Sequence, residues 1–589
     1  MKNELQRLYN EVARQCGMQL DGVLINEDIY TIIKKELQKF CDNCHNPAIW
    51  CYGNHTKMLM ADFIFEIKKV KYIVDDKYQK LNTEGFAFIS RENIHDNRID
   101  GIIISSYKYK EEIKNYIKKN YEEIPYFDIY ECLEKRGIKC MAEYYNLAHP
   151  YEYYREINEL KQKIKNEQNT DELCSAYEQI IRDYVKIKDF LSAIKSVKLY
   201  LQINGCERYY KIKDELEELY AKQREGMTRI AASNVVMFCM DGMRRRDVSG
   251  NMMPNLTKYI KENMIYFNNA YSVSTSTYES LIPTYSENSD MQSRYYERDN
   301  IEEEKCRFIK VAKSQNRKVY FYTDTISFVN SEIISVKNKM QTASEKMWDF
   351  LLDALDEDNG LFYIHILYES HFSYPNPYTE NPIIAEGTSI FFDFLPVNGG
   401  KIKTDYECQH TDALHYLDDI ISPLISDLHT SMVIYADHGN VILNKNAAFN
   451  KIKYPMLTFA EDLIEIPLAV KTTETQPSVD DRLISLMELN NIIVSLLKNS
   501  NMELDVKQHI KVQRSKIYNP DFHFIYKRLN FEKGLKAFEL FVFKKGLKLV
   551  VYEDGEKELY NLDDNVIQNE EQLNKLYLEI QNEVTVWKG

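Results

Sequence analysis

Two predicted apolar strands constrain the fold of this chain more than any other feature. Each is followed by side chains of the types that bind metal ions in proteins. Val235–Met240 is an apolar run that is followed directly by Asp241. Ser431–Ala436 is a second apolar run, followed by the triplet 437–439, which is Asp-His-Gly. In open α/β sheets the crevice at the carboxyl ends of the strands is where ligands bind. Carboxylate and imidazole groups followed by a glycine, which permits a tight exit from the strand, predict a site for a hard divalent cation.

A hydroxyl-rich turn lies between these two strands in the sequence. Residues 270–284 contain Thr275 and Thr277 and run into an apolar helical pattern. The N-terminus of a helix presents free N–H groups and the positive end of the helix dipole, so it attracts phosphate-like anions. The same composition also suits an ordinary serine or threonine N-cap, and the turn alone does not decide between these two interpretations.

The order of these segments resembles the sulfatase branch of the alkaline phosphatase superfamily. Besides the two strand ends, the resemblance rests on residues 253–256, residues 270–272, the pair Thr277 and Ser280, and His371. Within this branch the pattern is similar to lipoteichoic-acid synthases and phosphoethanolamine transferases, which use a threonine where sulfatases use a modified cysteine. The resemblance covers about residues 230–500 and continues into the C-terminal strands.

The resemblance implies a set of site residues and one divalent metal ion, which is Zn, Mn or Mg. The implied ligands are Asp241, Thr277, Asp437 and His438, and Thr277 is also the implied nucleophile. Thr275 remains the alternative nucleophile. His371 is implied to bind substrate oxygens or to protonate the leaving group.

Three further residues are predicted to contact the substrate. Ser280 lies three residues after Thr277, as in the family pattern. Arg244 follows the first strand and carries a guanidinium group that suits phosphate oxygens, although a solvated helix face also accounts for arginines at this point. Asp324 follows another predicted strand and is expected at the same edge of the sheet.

The sequence also departs from the family pattern. No arginine follows Thr277 in residues 277–281, although the formylglycine motif of sulfatases contains one, which argues against sulfate ester cleavage by that route. Residues 440–467 contain no histidine, whereas the phosphoethanolamine transferases carry one there for a second metal. We therefore expect one firmly bound metal ion and leave the second uncertain. Asp241 stands where the transferases usually have glutamate.

Four regions are predicted from changes in pattern along the chain. Residues 1–148 alternate strands with helices and resemble a small Rossmann-like α/β domain, although the phosphate-binding G-x-G-x-x-G fingerprint is missing. Residues 149–228 are charged and helix-periodic, which predicts a helical connector. Residues 229–500 form the predicted catalytic domain, and residues 501–589 a strand-rich subdomain that completes it. The predicted fold class is therefore α/β, with an alkaline-phosphatase-like mixed sheet flanked by helices.

Composition excludes several classes of function. The net charge of −15 and the interspersed acids and bases argue against a nucleic-acid-binding protein. No apolar stretch has the length of a transmembrane helix, and the N-terminus does not have the pattern of a signal peptide. Eleven cysteines in irregular spacing do not predict a disulfide framework. We expect a cytoplasmic protein with reduced thiols; its oligomeric state is open.

One group of cysteines needs separate attention. Cys41, Cys44 and His45 fit the C-x-x-C-H pattern of covalent haem attachment, but no export signal accompanies them. Zinc binding that includes Cys51 lacks the second cysteine pair of a typical zinc site. A chance match is the favoured interpretation.

The leading functional hypothesis is a phosphotransferase or phosphodiesterase with a phospho-threonine intermediate. Its expected substrate is a phosphorylated small molecule or glycan, and its expected setting is the transfer of a phospho-alcohol headgroup in cell-surface glycan synthesis. One alternative is a sulfatase-like or phosphonate hydrolase that uses unmodified threonine. The other is a non-catalytic binding scaffold.

Overall fold

The computed structural model describes most of the chain as two compact units. One unit comprises residues 1–16, 150–337 and 341–589, and the other comprises residues 17–149 and 338–340. The described residues are 1–18, 29–63, 65–75, 86–136, 150–288, 301–323, 328–338, 341–371, 374–380, 402–440, 459–474, 476–505, 507–516 and 532–585.

The helices of these described residues are 4 to 25 residues long. In chain order they are α1 (Lys2–Gln15), α2 (Ile29–Asp42), α3 (Asn54–Phe63), α4 (Lys110–Asn120), α5 (Ile129–Glu134), α6 (Pro150–Asn166), α7 (Thr170–Lys186), α8 (Phe190–Ile203), α9 (Glu207–Thr228), α10 (Pro254–Asn263), α11 (Thr277–Ser286), α12 (Arg307–Ser314), α13 (Ala343–Ala354), α14 (Ile402–Ser426), α15 (Glu461–Ile464), α16 (Leu489–Lys498) and α17 (Glu570–Ile580). Among these helices, none combines the length and the apolar character needed to cross a lipid bilayer.

The described strands pair into four sheets. In chain order they are β1 (Pro47–Trp50), β2 (Tyr72–Val74), β3 (Ala87–Ile89), β4 (Gly101–Ile104), β5 (Tyr126–Asp128), β6 (Val235–Met240), β7 (Ile265–Tyr271), β8 (Ile301–Glu302), β9 (Lys318–Thr323), β10 (Val329–Asn330), β11 (Ile334–Asn338), β12 (Gly360–Ile366), β13 (Ser431–Tyr435), β14 (Leu468–Lys471), β15 (Ser478–Ser485), β16 (His509–Arg514), β17 (Phe538–Phe543), β18 (Leu547–Tyr552) and β19 (Lys557–Asn561).

The smaller unit is built on a five-stranded parallel sheet with the order β3-β2-β1-β4-β5. Ile49 of β1 lies between Ile73 of β2 and Ile103 of β4. Both faces of this sheet are apolar, because helices cover each side of a parallel sheet. The predicted alternation of strands and helices is confirmed here, while the Rossmann-like identity of the unit stays a prediction.

The larger unit contains an eight-stranded mixed sheet with the order β11-β9-β12-β6-β13-β14-β7-β15. Strand β6 lies parallel to both of its neighbours, so that Cys239 is opposite His365 of β12 and Tyr435 of β13. Strand β14 runs antiparallel to β13 and β7. The predicted α/β fold with a central mixed sheet flanked by helices is confirmed. Its topology brings the carboxyl ends of β6, β12 and β13 to one edge.

Each of helices α6–α9 packs against the next along the chain in the larger unit, and α1 packs against α9. Helices α7 and α8 begin at caps in which the side chains of Asn169 and Asp189 accept backbone hydrogen bonds. The apolar face of α1, which includes Leu5 and Val12, is buried within this unit. The domain limits predicted from the sequence stay predictions.

The C-terminal part of the larger unit is a four-stranded antiparallel sheet with the order β16-β17-β18-β19. Leu540 and Val550 lie in a core cluster on one face, and Phe541 and Leu549 lie in a cluster with α17 on the other. This alternation is what a strand pair buried on both sides requires. The N–H of Gln513 in β16 donates to the carbonyl of Val273, which connects this sheet to the hydroxyl-rich turn.

Candidate active site

Asp241 and Asp437 lie side by side beyond the ends of β6 and β13. Both side chains are completely buried. The N–H of Gly242 donates to Oδ1 of Asp437 at 3.2 Å. The backbone just after β6 therefore binds the carboxylate that follows β13. Parallel pairing of β6 with β13 therefore produces the pair of acidic groups that the two strand ends predicted.

Thr277 is the first residue of α11, and its hydroxyl lies beside Asp241 of this acidic pair. Its Oγ1 lies 3.1 Å from Oδ2 of Asp241 and 3.3 Å from Nε2 of His438. Thr275 is completely buried, and its hydroxyl instead accepts a hydrogen bond from Arg514. The structure thus places Thr277, and not Thr275, beside the predicted metal ligands.

The ring of His438 is oriented by its neighbour in the sequence. Nδ1 lies 2.8 Å from the carbonyl oxygen of Gly439. Because a carbonyl only accepts, Nδ1 is the donor, and Nε2 is directed at Thr277 and Asp241. Gly439 is needed at this point, since a Cβ there would collide with the backbone carbonyl of Asp462.

Two further histidines complete the centre. Nε2 of His371 lies 3.9 Å from Oδ1 of Asp241, and this side chain is 27% exposed. Nε2 of His365 lies 2.9 Å from Oδ2 of Asp241 and is buried. The sequence analysis missed His365, because a single histidine inside the apolar strand β12 gives no signal of its own. Only its pairing with β6 reveals its position.

The buried acidic groups and histidines of this centre shift one another's pKa values. Burial acts to raise the pKa of Asp241, but His371, His365 and His438 outweigh it, so the pKa lies well below its usual range. Burial and the adjacent charge of Asp241 raise the pKa of Asp437. Burial lowers the pKa of His438, but the two carboxylates outweigh it and raise that pKa. Adjacent buried carboxylates of this kind favour a cation between them.

The residues present fit a divalent metal ion. Oδ1 of Asp241 and Oδ2 of Asp437 are buried oxygens with no hydrogen-bond partner among the described residues. Two sets of donor atoms, each within 4.8 Å of one another, share Asp241. One set is completed by His371 and His438, the other by His365 and Asp437. Oxygen and imidazole donors suit Zn, Mn and Mg alike. The number of ions stays a prediction.

The structure describes two of the three predicted substrate-binding residues, and both make hydrogen bonds within the protein. Arg244 is buried and donates through Nε and Nη2 to Asp247, at 3.0 and 2.6 Å. Ser280 is completely buried, and its hydroxyl lies 2.9 Å from that of Ser272 inside the turn. Asp324 lies outside the described residues. The substrate-binding roles of all three stay predictions, and the first two have partners within the protein.

The cysteines of the smaller unit do not form a comparable set of metal ligands among the described residues. Within the described part of the chain, the sets of three or more ligand atoms close enough for a metal are the two around Asp241. Cys41 and Cys44 are buried, and burial raises the pKa of the Cys41 thiol to about 12 and raises that of Cys44. Protonated thiols of this kind are poor metal ligands.

Comparisons with known families match two parts of the chain. Residues 233–499 match the family model described as Sulfatase, and residues 43–130 match a family described as C2185-like, N-terminal. The first match spans β6, the turn before α11, β12 and β13, which carry the site. A search of curated proteins finds no match.

Several solved structures share parts of this fold. The phosphonate monoester hydrolase of Agrobacterium radiobacter is 10% identical, with a TM-score of 0.42, and the match covers 60% of this chain and 94% of that one. The phosphonate monoester hydrolase from Silicibacter pomeroyi is 12% identical, with a TM-score of 0.43, and the match covers 60% of this chain and 95% of that one. The C-terminal periplasmic domain of EptC from Escherichia coli is 17% identical, with a TM-score of 0.32, and the match covers 44% of this chain and 80% of that one. Similarity at this level carries no information about the substrate.

Proposed function

We propose that this chain, whose residues 233–499 carry a sulfatase-family domain, is a metal-dependent phosphoester-processing enzyme with Thr277 as its nucleophile. The observation that carries the proposal is the position of the Thr277 hydroxyl, 3.1 Å from Asp241 and 3.3 Å from His438. A divalent ion, when bound by Asp241, Asp437 and His438, lowers the pKa of a coordinated hydroxyl and neutralises phosphoryl oxygens.

The solvent exposure of the site residues supports separate roles in metal binding and in contact with the substrate. Asp241, Asp437 and His438 are buried, as expected for groups that hold an ion in place. Thr277 is half-buried and His371 is 27% exposed, so these two side chains are within reach of a substrate. The side chain of the N-cap residue Ser276 makes no capping bond to the first turn of α11. The N-terminus of a helix, where Thr277 lies, is a position that favours the binding of phosphoryl oxygens.

The proposed reaction proceeds in two displacements. In the first, the proton of Thr277 passes to solvent and Oγ1 forms a bond to phosphorus, while the bond from phosphorus to the first alcohol breaks. His371 donates the proton that the departing alcohol oxygen takes up. In the second, water or another alcohol attacks the phospho-threonine and gives its proton to His371, while the bond from phosphorus to Oγ1 of Thr277 breaks. Oγ1 then takes a proton from solvent, and both side chains return to their starting states. Hydrolase and transferase activities differ only in this acceptor.

The proposed setting is the transfer of a phospho-alcohol headgroup during cell-surface glycan synthesis, with a cytoplasmic donor or acceptor. This setting is proposed by analogy, from the family resemblance and from the predicted Rossmann-like module of residues 1–148. The proposed substrate is accordingly a phosphorylated small molecule or glycan.

A panel of nitrophenyl esters tests the proposal. The full chain is assayed with Zn, Mn or Mg against a phosphate monoester, a phosphate diester, a phosphonate and a sulfate. Thr277→Ala should lower turnover by roughly 10³-fold or more, since loss of a nucleophile in covalent catalysis is at least this severe. Thr257→Val, which changes a buried threonine of α10, is the matched control and should behave as wild type.

The panel also separates the alternatives. Preference for phosphonate or sulfate esters favours the sulfatase-like or phosphonate hydrolase. Absence of both bound metal and turnover after reconstitution favours a binding scaffold. An unchanged metal-dependent rate in Thr277→Ala would remove the threonine from its proposed role.

A further inference from the structure

Arg514 enters the neighbourhood of the site from the C-terminal sheet. It is the last residue of β16, and the preceding residue, Gln513, donates its N–H to Val273 in the hydroxyl-rich turn at 2.8 Å. This bond joins the sheet to the chain segment that leads to Thr277. The side chain of Arg514 is directed into the protein, and the residue is only 4% exposed.

The guanidinium group of Arg514 is poorly satisfied for a buried cation. Its Nη1 donates to Oγ1 of Thr275 at 3.0 Å. Its Nε is buried and has no hydrogen-bond partner among the described residues. A guanidinium carries five N–H donors in a planar fork, and a buried charge is costly unless it is paired. The unpaired Nε therefore indicates an anion that the described residues do not supply.

The carboxylate of Glu279 feels the charge of Arg514, but its oxygens accept hydrogen bonds from Ser274 and Ser515. Its Oε2 accepts from the hydroxyl of Ser274 at 3.0 Å, and its Oε1 accepts from the N–H and hydroxyl of Ser515. Burial raises the pKa of Glu279, and the charge of Arg514 only partly opposes this rise. No hydrogen bond joins Glu279 to Arg514 within the described residues. Arg514 therefore keeps donor capacity beyond its bond to Thr275.

The partner of Arg514 lies close to the proposed nucleophile in the sequence. Thr275, which accepts from Nη1 of Arg514 at 3.0 Å, is two residues before Thr277, whose hydroxyl lies 3.3 Å from Nε2 of His438. Residues 277–281 contain no arginine, so α11 itself provides no cation for a substrate anion.

We propose that Arg514 binds the non-bridging oxygens of a phosphate or phosphoester anion in the centre around Thr277. The inference rests on the proposed function and adds its anion-binding residue. The fork of donors matches two oxygens of one tetrahedral anion. The C-terminal sheet is then part of the substrate site, and Thr275 is a positioning residue that holds the guanidinium.

Inorganic phosphate is the probe for this site. Its dissociation constant is measured by calorimetry on the metal-loaded full chain, alongside turnover of the nitrophenyl esters and thermal unfolding. Arg514→Lys keeps the charge but loses the fork, and phosphate should bind at least about tenfold more weakly, as expected for one charge-assisted hydrogen bond. Arg317→Lys is the matched control. Arg317 donates to the backbone carbonyls of Ser233 and Leu497, at the opposite end of the strands, and its replacement should not alter phosphate affinity.

A second variant keeps the test decisive if Arg514→Lys does not fold. Thr275→Val leaves Arg514 in place and removes the hydroxyl that holds it, so phosphate should bind several-fold more weakly, since a positioning hydrogen bond is lost. Wild-type phosphate affinity in Arg514→Lys, or in Thr275→Val where the lysine variant does not fold, overturns the assignment.

The outcomes distinguish this inference from the proposed function. Ester turnover with phosphate affinity independent of Arg514 overturns the inference and leaves the proposed function intact. Phosphate affinity that depends on Arg514, without turnover of any ester, supports the anion site and contradicts the proposed enzyme. Absence of both phosphate binding and turnover in the wild-type chain overturns both.

Discussion

The hydroxyl of Tyr154 donates a 2.6 Å hydrogen bond to Oε1 of Glu369, and both side chains are buried. Tyr154 belongs to α6, and Glu369 lies two residues before His371. The same oxygen accepts the N–H of Ala343 at 2.9 Å. Asn158 of α6 adds a bond to the carbonyl of Asn376, on the other side of His371. The helical connector therefore fixes the segment that carries His371.

Tyr154→Phe should weaken this support. Loss of a hydrogen bond to a buried carboxylate is expected to lower the free energy of unfolding by about 1.5–3 kcal/mol, the range for bonds to charged groups. Turnover should fall more than metal affinity, because His371 loses its fixed position while the buried ligands do not. Denaturant unfolding and ester kinetics measure the two effects. Tyr210→Phe, on the exposed surface of α9, is the control and should change neither.

Metal removal should abolish activity reversibly. Two buried carboxylates and a histidine are expected to hold the ion, so chelation should also lower the midpoint of thermal unfolding. Elemental analysis of wild type should find one divalent ion per chain, and His438→Ala should lower that occupancy. His429→Ala, an exposed histidine after α14, should retain it. Equal metal content in both variants would show that His438 is not a ligand.

His365→Gln should reduce metal affinity even if His365 does not contact the ion. Its Nε2 lies 2.9 Å from Asp241, and groups that orient metal ligands typically contribute 10–100-fold to affinity, as a rough guide. Competition with a fluorescent chelator measures this change. Unaltered affinity, with thermal stability also unaltered, would assign the histidine no part in the centre.

Stability should depend on pH through Asp183 in the helical connector. Burial raises the pKa of Asp183 from 3.8 to about 7. The folded state then binds a proton that the unfolded state has released, so stability is fully present below pH 4 and is lost as the pH rises through 7. The difference amounts to roughly 4 kcal/mol at most, at 1.36 kcal/mol per pKa unit.

Asp183→Asn should remove this dependence. Thermal unfolding between pH 5 and pH 8 should show the variant gaining stability over wild type as the pH rises, since the amide never ionises. Asp214→Asn, an exposed position of α9, should parallel wild type throughout. Parallel curves for Asp183→Asn as well would contradict the raised pKa.

Two of the strands that carry the site, β6 and β13, were predictable because each is an apolar run followed directly by a metal-binding type of side chain. Val235–Met240 is found as β6 at its predicted limits, and the predicted strand 431–436 ends one residue earlier, at Tyr435. The limits of α7 and α8 inside the predicted helical connector were not predicted, because the capping side chains of Asn169 and Asp189 were not recognised.

The rest of the centre depends on contacts between distant parts of the chain. His365 reaches Asp241 only through the pairing of β12 with β6, and Arg514 reaches Thr275 only through the C-terminal sheet. A histidine in an apolar strand, or an arginine at the end of a short one, has no local pattern that marks it. The periodicity of a sequence predicts which face of a helix or strand is buried, but it does not predict which other elements pack against that face.

The most direct test of the account is the mass of the protein during turnover. Wild-type chain is mixed with metal and a nitrophenyl phosphoester, quenched in acid within the first turnovers, and analysed as intact protein and as peptides. The account predicts a covalent phosphoryl or phosphoester adduct on Thr277, which disappears when substrate is exhausted and never forms in Thr277→Ala. Turnover at the wild-type rate in Thr277→Ala, with no adduct on the wild-type protein, would contradict it.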